Sequence, residues 1–311
     1  MASHSTQLVE PFLAALPSTL ELVKGSLTAF HEISTTECTD SAYLQFRKKL
    51  CTEAYMYGRR IYPSSIDLIK SVNAMLEIHR FIDYEVDQFL NLLPSLVQQC
   101  RQSVDQATRL SLQHSFARAR LEKLGNDVKR QQTATQDIAN INKAEASGKS
   151  TAAGWSAAGG IGAVIAGGVI GWPILLASPF FFALGAELRS SSNSQSRKAS
   201  QQQLTALGLK SLTDAIGEQY RVITSIGDVL NGIANRLDGV ARAGGNNTEQ
   251  LAQIYLKMIQ EASVKLLPAL ETILLHRTDY ETTILRLGLD HVDDQLKLEW
   301  TEKWEDVVNG N

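Results

Sequence analysis

Apolar residues recur three and four positions apart along most of this chain, the spacing that lines one face of an α-helix. A first helix is expected over about Gln7 to His31, where Leu16, Leu20, Val23, Leu27 and Phe30 share a face. The cluster Ser34 to Asp40 reads as a turn, with Thr39, Asp40 and Ser41 as candidate N-caps. A second helix carries Leu50, Ala54, Tyr57 and Ile61, and Tyr62-Pro63-Ser64-Ser65 should break or kink it. The pattern resumes through Ile66, Ile69, Val72, Leu76, Ile82, Val86 and Leu90. Pro94 is expected to open a further helix within its first turn. That helix should continue to about Lys149 through Val97, Cys100, Val104, Ala107, Leu110, Ala117, Leu121, Leu124 and Val128, with Ile138 and Ile141 beyond a polar patch. Helical throughout, it would be about 80 Å long at the α-helical rise, which suggests a rod-like bundle.

The clearest heptad rhythm comes later. Leu209, Leu212, Ile216, Tyr220, Ile223, Ile226, Leu230, Ile233, Leu237 and Val240 form a nearly continuous seam, after a polar start or linker at Ser190 to Ser196. Gly244-Gly245-Asn246-Asn247 reads as a helix–helix turn, which also explains the sequon-like Asn246-Asn247-Thr248. A return helix follows with Leu251, Ile254, Met258, Ala262, Leu266, Leu270 and Ile273. Val292, Leu296, Trp300 and Trp304 then stand four apart among acidic residues, as either a closing helix packed on the bundle or a partner-binding helix. With alternating β-branched runs nearly absent elsewhere, the expected class is all-α: an elongated bundle of long antiparallel helices.

One stretch breaks the rhythm. No charged residue falls between Lys149 and Glu187, and the segment is rich in Gly, Ala, Ile, Val and Phe. It divides the chain into a first helical part (1–149), a hydrophobic head (150–187) and a second helical part (188–311). The limb from about Ala152 to Gly171 supplies roughly the 20 apolar residues that a helix needs to cross a bilayer core. The limb from Ile174 to about Leu184 is short for a helical span but long enough for a transmembrane strand, so a helical hairpin and a β-tongue both stay open. Trp172-Pro173 is the expected reversal, and Pro179 makes the second limb irregular.

Small residues fall in rows within the first limb: Gly159, Ala163, Gly167 and Gly171, beside Ala158, Gly162 and Ala166. Such a face permits close backbone approach in lipid. In water the same glycines weaken a helix by up to about 1 kcal/mol each relative to alanine. A segment weak in water and suited to close packing in lipid fits a conformational switch. Lys143 and Lys149 before the stretch, and Arg189, Arg197 and Lys198 after it, make both flanks basic, which sets them on one side of a membrane if the insert is a hairpin. Trp155, Trp172, Phe180, Phe181 and Phe182 are candidate lipid anchors. A buried Gly/Ala-rich core hairpin and a permanent two-span anchor are the competing readings.

Composition adds limits. Hydrophobic residues make up 44%, charged residues 20%, and the net charge is −3, which gives no basic bias toward nucleic acid. Cys38, Cys51 and Cys100 are odd in number and lack metal spacing, so buried thiols are expected, and Cys38–Cys51 is the one bridge that suggests itself. The first residues lack a basic n-region, and Glu10, Pro11 and Pro17 interrupt the apolar patch, so no cleavable signal peptide is read there. Gly148-Lys149-Ser150 has Lys143 where a P-loop needs its first glycine, and Ile165 stands where a dinucleotide fingerprint needs its third. His31-Glu32 lacks a second histidine at metalloprotease spacing, and the six histidines are scattered. An enzyme is therefore not expected, nor a cofactor or metal.

Long helices, an uncharged Gly/Ala-rich insert containing AAGGIGAVIAGGVIG, then long helices again: in layout the chain resembles the α-helical pore-forming toxins of the cytolysin A and haemolysin BL/non-haemolytic enterotoxin type. The resemblance spans nearly the whole chain and rests on architecture, with no catalytic signature. It implies a soluble form that shelters the insert, release at a target membrane, self-oligomerisation into a pore, and other toxin components as further partners. Trp155 to Gly171 would be the first inserting limb and Trp172 to Leu184 the reversal and second limb, with Leu8 to Phe30 as a segment that moves. It also implies secretion, or release by another route, before the target-cell membrane is reached. The alternative class is a helical protein that tethers or remodels membranes and is anchored by the hairpin.

Overall fold

The computed structural model describes residues 13–14, 41–81, 86–147, 194–242, 247–275, 277, 282 and 292–309. Every regular element among them is an α-helix: α1 (Ser41–Arg60), α2 (Tyr62–Phe81), α3 (Val86–Ser147), α4 (Ser194–Arg242), α5 (Asn247–Leu275) and α6 (Asp294–Asn309). They form a helical bundle around one connected core. The expected first helix, the turn at Ser34 to Asp40 and the whole of 150–187 lie outside the described residues.

Helix α1 buries the predicted face: Leu50, Ala54 and Tyr57 have no solvent exposure, nor has Ile61 just past its end. Arg59 and Arg60 fill its last turn, where positive charge complements the helix dipole. The predicted break occurs, and it is short. Ile61 stands as a turn, and Pro63 enters the first turn of α2, where its missing N–H costs least. The Ile61 N–H still donates to the Tyr57 carbonyl (3.0 Å) and Ser65 N–H to the Ile61 carbonyl (3.2 Å). The two helices therefore meet at a joint that two ladder hydrogen bonds still bridge.

Pro94 does not start a helix. It lies inside α3, which begins at Val86. Pro94 forfeits one ladder bond, but Phe89 and Leu93 before it and Leu96 after it are buried on the same face. Tertiary packing on both sides carries the helix through the gap. At about 1.5 Å per residue the 62 residues of α3 give about 93 Å of helix.

Along α3 the buried positions are Phe89, Leu93, Leu96, Cys100, Ser103, Ala107, Leu110, His114, Ala117, Leu121, Leu124 and Val128. Their spacing alternates strictly between four and three, the signature of knobs-into-holes packing. Val97 and Val104, expected on this seam, lie only partly buried at its edge. Two seam positions are polar, Ser103 and His114. Helix α4 matches with Thr205, Leu209, Leu212, Ile216, Gln219, Ile223, Ile226, Leu230, Ile233, Leu237 and Val240. Here too one expectation shifts by a residue: Gln219 occupies the seam and Tyr220 is half-buried.

Helices α3 and α4 share the largest interface of the bundle. Arg101 pairs with Asp238, the Ser111 hydroxyl meets that of Thr224 at 3.1 Å, and Gly217 lies beside the Arg118 guanidinium. The α4 partner number falls as the α3 number rises, so the two run in opposite directions along this seam. At its middle, a Cβ on Gly227 would stand 3.2 Å from the Ala107 Cβ, so the helices approach closely where neither side chain is bulky. Gly227→Leu is expected to cost about 1–3 kcal/mol by overpacking. Gly125 and Gly239 have open space at the Cβ position. Alanine there should add about 0.5–1 kcal/mol each through helix propensity. Urea midpoints of the three variants check the contrast in sign.

Helix α2 packs chiefly on α5, and α1 touches α2, α3 and α4. Helix α4 ends at Arg242 and α5 begins at Asn247, on either side of the expected turn, of which Gly244, Gly245 and Asn246 lie outside the described residues. In α5 the row Ala252, Ile259, Leu266 and Ile273, seven apart, is buried together with Met258, Ala262 and Leu270. Ile254, expected on that face, is 61% exposed because it sits off this row.

Candidate functional site

Two clusters join helices that are distant in sequence. The first caps one side of α1 and α3 with α6. Asp293 starts α6 by accepting from the backbone N–H groups of Gln295 (3.0 Å) and Leu296 (3.2 Å) through one carboxylate oxygen, an N-cap. Its own N–H donates to the Thr52 hydroxyl on α1 (3.3 Å), and Lys48 lies 3.7 Å from its carboxylate. Two turns further, Trp300 is fully buried. Its ring stacks on Trp304 at 5.1 Å and meets Phe116 of α3 edge-on at 5.3 Å. The indole N–H donates to Glu53 of α1 at 3.0 Å, and Glu53 also accepts from Arg120 of α3 at 2.6–3.0 Å. Arg120 in turn lies over the Phe116 ring. The sequence left α6 between a closing helix and a partner-binding one, and these contacts make it a closing helix.

Beside this cap is a cavity of about 140 Å³ lined by Lys49, Glu53, Arg120, Lys123, Asp127 and Lys303 among others. Its charges are largely matched, Arg120 by Glu53 and Lys303 by Glu299 at 2.5 Å. The Lys303 hydrogen bond holds the Glu299 carboxyl below the usual carboxylate range, and Lys297 does the same for Asp294. The cavity therefore presents no strong field of either sign.

The second cluster is inside the core. His114, on the α3 seam, has no solvent exposure, and neither have Tyr57 of α1 and Ser65 of α2. The Ser65 hydroxyl lies 2.9 Å from His114 Nε2 and the Tyr57 hydroxyl 3.3 Å from Nδ1. The Ser65 hydroxyl also donates to the Ile61 carbonyl at 3.2 Å. One proton assignment satisfies every group: Nε2–H donates to Ser65, Ser65 donates to Ile61, and Tyr57 donates to Nδ1. The imidazole is thus neutral, and burial pushes its pKa down to about 3. Serine and histidine here have the spacing of a nucleophile and base. Yet the residue across Nδ1 is a phenol, no carboxylate orients the ring, and the trio is shut from solvent, so the arrangement joins three helices and offers no place for a substrate.

His114 was not among the residues that the apolar pattern singles out. A signal was there: it falls four after Leu110 and three before Ala117, at a seam position.

Cys51 and Cys100 are free and buried, and burial pushes their thiols up to about 12 and about 11. The suggested Cys38–Cys51 bridge is thereby corrected at Cys51, which packs in the core as a small apolar residue. Among the described residues no three His, Cys, Asp or Glu side chains converge as a metal site. Among them, too, no helix is long and apolar enough to cross a membrane. Of the residues expected to meet lipid, Lys143 falls in the last turns of α3. Trp155, Gly159, Ala163, Gly167, Gly171, Trp172, Pro173, Phe180, Phe181 and Phe182, with Lys149 and Arg189, lie outside the described residues. No protein-family model and no curated protein matches the chain.

Proposed function

We propose that this chain is an α-pore-forming protein, or one component of a multi-part pore, that inserts the uncharged segment 150–187 into target membranes and oligomerises there. The observation that carries the reading is that segment itself: it holds no charge from Ser150 to Ala186 and displays rows of small residues. The fold supports it in one respect. Helix α3 ends at Ser147 and α4 begins at Ser194, and the two run in opposite directions along their seam. A segment joining them leaves and returns at the same end of the pair, as an inserting hairpin head on an elongated antiparallel bundle would. The seams of α3, α4 and α5 are filled by their own side chains, so the core of the bundle has no need of the insert.

Gly167→Glu, and separately Ala163→Asp, test the reading. A charge at the centre of a bilayer-spanning helix costs about 2.5–3.5 kcal/mol on insertion scales. Each variant is expected to keep wild-type helicity and to lose flotation with liposomes. Wild-type flotation by both variants would remove the segment from the mechanism. A helical tether anchored by the hairpin is the second reading, and it predicts a protein that needs detergent from the outset.

A further inference from the structure

The buried cluster around His114 has a consequence that stands apart from the membrane reading. It sits where three helices meet and beside the joint between α1 and α2, which Ile61 alone separates. Tyr57 lies in the last turn of α1, Ser65 in the first turn of α2, and Ile61 with Pro63 between them. His114 therefore binds both sides of the α1–α2 joint to the α3 seam. We propose that this junction is an acid-released latch: the neutral imidazole pins the joint to α3, and a proton on His114 frees it.

The proton has no good place to go. With Nε2–H already given to Ser65, the second proton must sit on Nδ1, facing the Tyr57 hydroxyl that donates to it. Tyr57 would have to turn its own proton away, and the new charge would lie among Tyr57, Tyr62, Ser65 and the apolar seam. Among the described residues no carboxylate bonds to the imidazole, and on α2 Asp67 is taken by Lys70. On α3, Arg118 is bonded to Glu122. On α4, the register places Glu218 and Arg221 level with His114, and they pair with each other. On α1, Glu53 is taken by Arg120, and on α6 Glu299 is taken by Lys303. Burial disfavours the charged form of the imidazole.

The direction follows from linkage. The folded-state pKa of about 3 lies below the ordinary value of 6.5, so the open junction binds the proton more tightly than the closed one. Closure is undiminished above pH 6.5 and weakens as the pH falls toward 3. Each pH unit in that window multiplies the opening equilibrium by about ten, and the change from pH 7 to pH 5 amounts to about 25-fold. The carboxylates of Asp294 and Glu299 contribute in another window. They are held below their ordinary values of 3.8 and 4.5, so their support is lost only below about pH 4.5.

Hydrogen exchange of the full chain at pH 7 and pH 5, corrected for intrinsic rates, reads the latch directly. Residues 57–66 and 110–118 are expected to open about 25-fold more at pH 5, while 226–240 and 258–270 change by less than about threefold. In His114→Gln, which keeps a neutral hydrogen-bonding side chain, that pH dependence is expected to vanish. Equal protection at the two pH values, a uniform loss across all helices, or the same pH response in His114→Gln would each overturn the proposal. Should the variant fail to fold, the imidazole resonance of His114 in the wild type decides instead. It is expected to stay neutral down to pH 5 while the protein is folded, and a titration near pH 6.5 would refute the latch.

Discussion

Replacing Trp300 with alanine is expected to lower stability by about 3–5 kcal/mol and to detach α6 from the bundle. The magnitude is that of deleting a large buried aromatic side chain. Trp300 is the deepest residue of α6, and its ring contacts Phe116, Trp304 and Glu53 at once. The helix has 16 residues, near the length below which an isolated helix is marginal in water. An undocked α6 therefore melts. The loss should show as reduced far-UV helicity at temperatures where the wild type is intact, with the Trp304 emission shifted toward that of exposed tryptophan. Trp300→Phe separates two contributions. It keeps an aromatic ring but removes the indole N–H, leaving Glu53 with Arg120 alone, and should cost about 1.5–3 kcal/mol, the range for a hydrogen bond to a charged group. Unchanged helicity and denaturant midpoint in Trp300→Ala would mean that α6 is held elsewhere.

Leu230→Ala is expected to cost about 2–5 kcal/mol, toward the upper end, at a site far from α6. Leu230 lies on the α4 seam and faces Val72 and Leu76 of α2 and Leu266 and Leu270 of α5. A small void, about 10 Å³, already exists among these side chains. Truncation enlarges it, and the cost grows with the volume that the surroundings fail to fill. Leu230 shares no partner with Trp300, so the two losses should add within about 0.5 kcal/mol. A urea-denaturation cycle of the two single variants and the double variant measures both numbers and their sum.

The bundle was legible in the sequence because a heptad leaves its imprint wherever the buried side chains are apolar. The spacing places Leu50, Ala54 and Tyr57 on one face of α1 with Ile61 next in line, and all four are buried, as is most of the α4 seam. The misplacements share a physical cause. Counting apolar residues passes over a seam position filled by a polar side chain, so it misses His114 and favours Tyr220 over Gln219. The local chemistry of Pro94 predicts a helix start, and buried neighbours on both sides outweigh it. Ile254 shows the converse, an apolar residue that the packing leaves outside.

Which helices pair was not legible. Periodicity says that a face is buried and not against what, so the α3–α4 pairing through Arg101 and Asp238, and the seating of α6 on Glu53 and Phe116, belong to the structure alone. The candidate site divides in the same way. The segment 150–187 is conspicuous in the sequence, because charge and hydropathy are local properties. The buried junction of Tyr57, Ser65 and His114 joins residues 49 and 57 positions apart, and only the fold brings them together.

Release of a trapped dye from liposomes by the purified full-length protein, with Gly167→Glu alongside, tests the pore-forming reading most directly. Release by the wild type and none by the variant is the predicted result. Wild-type protein that neither releases dye nor floats with the liposomes would contradict it.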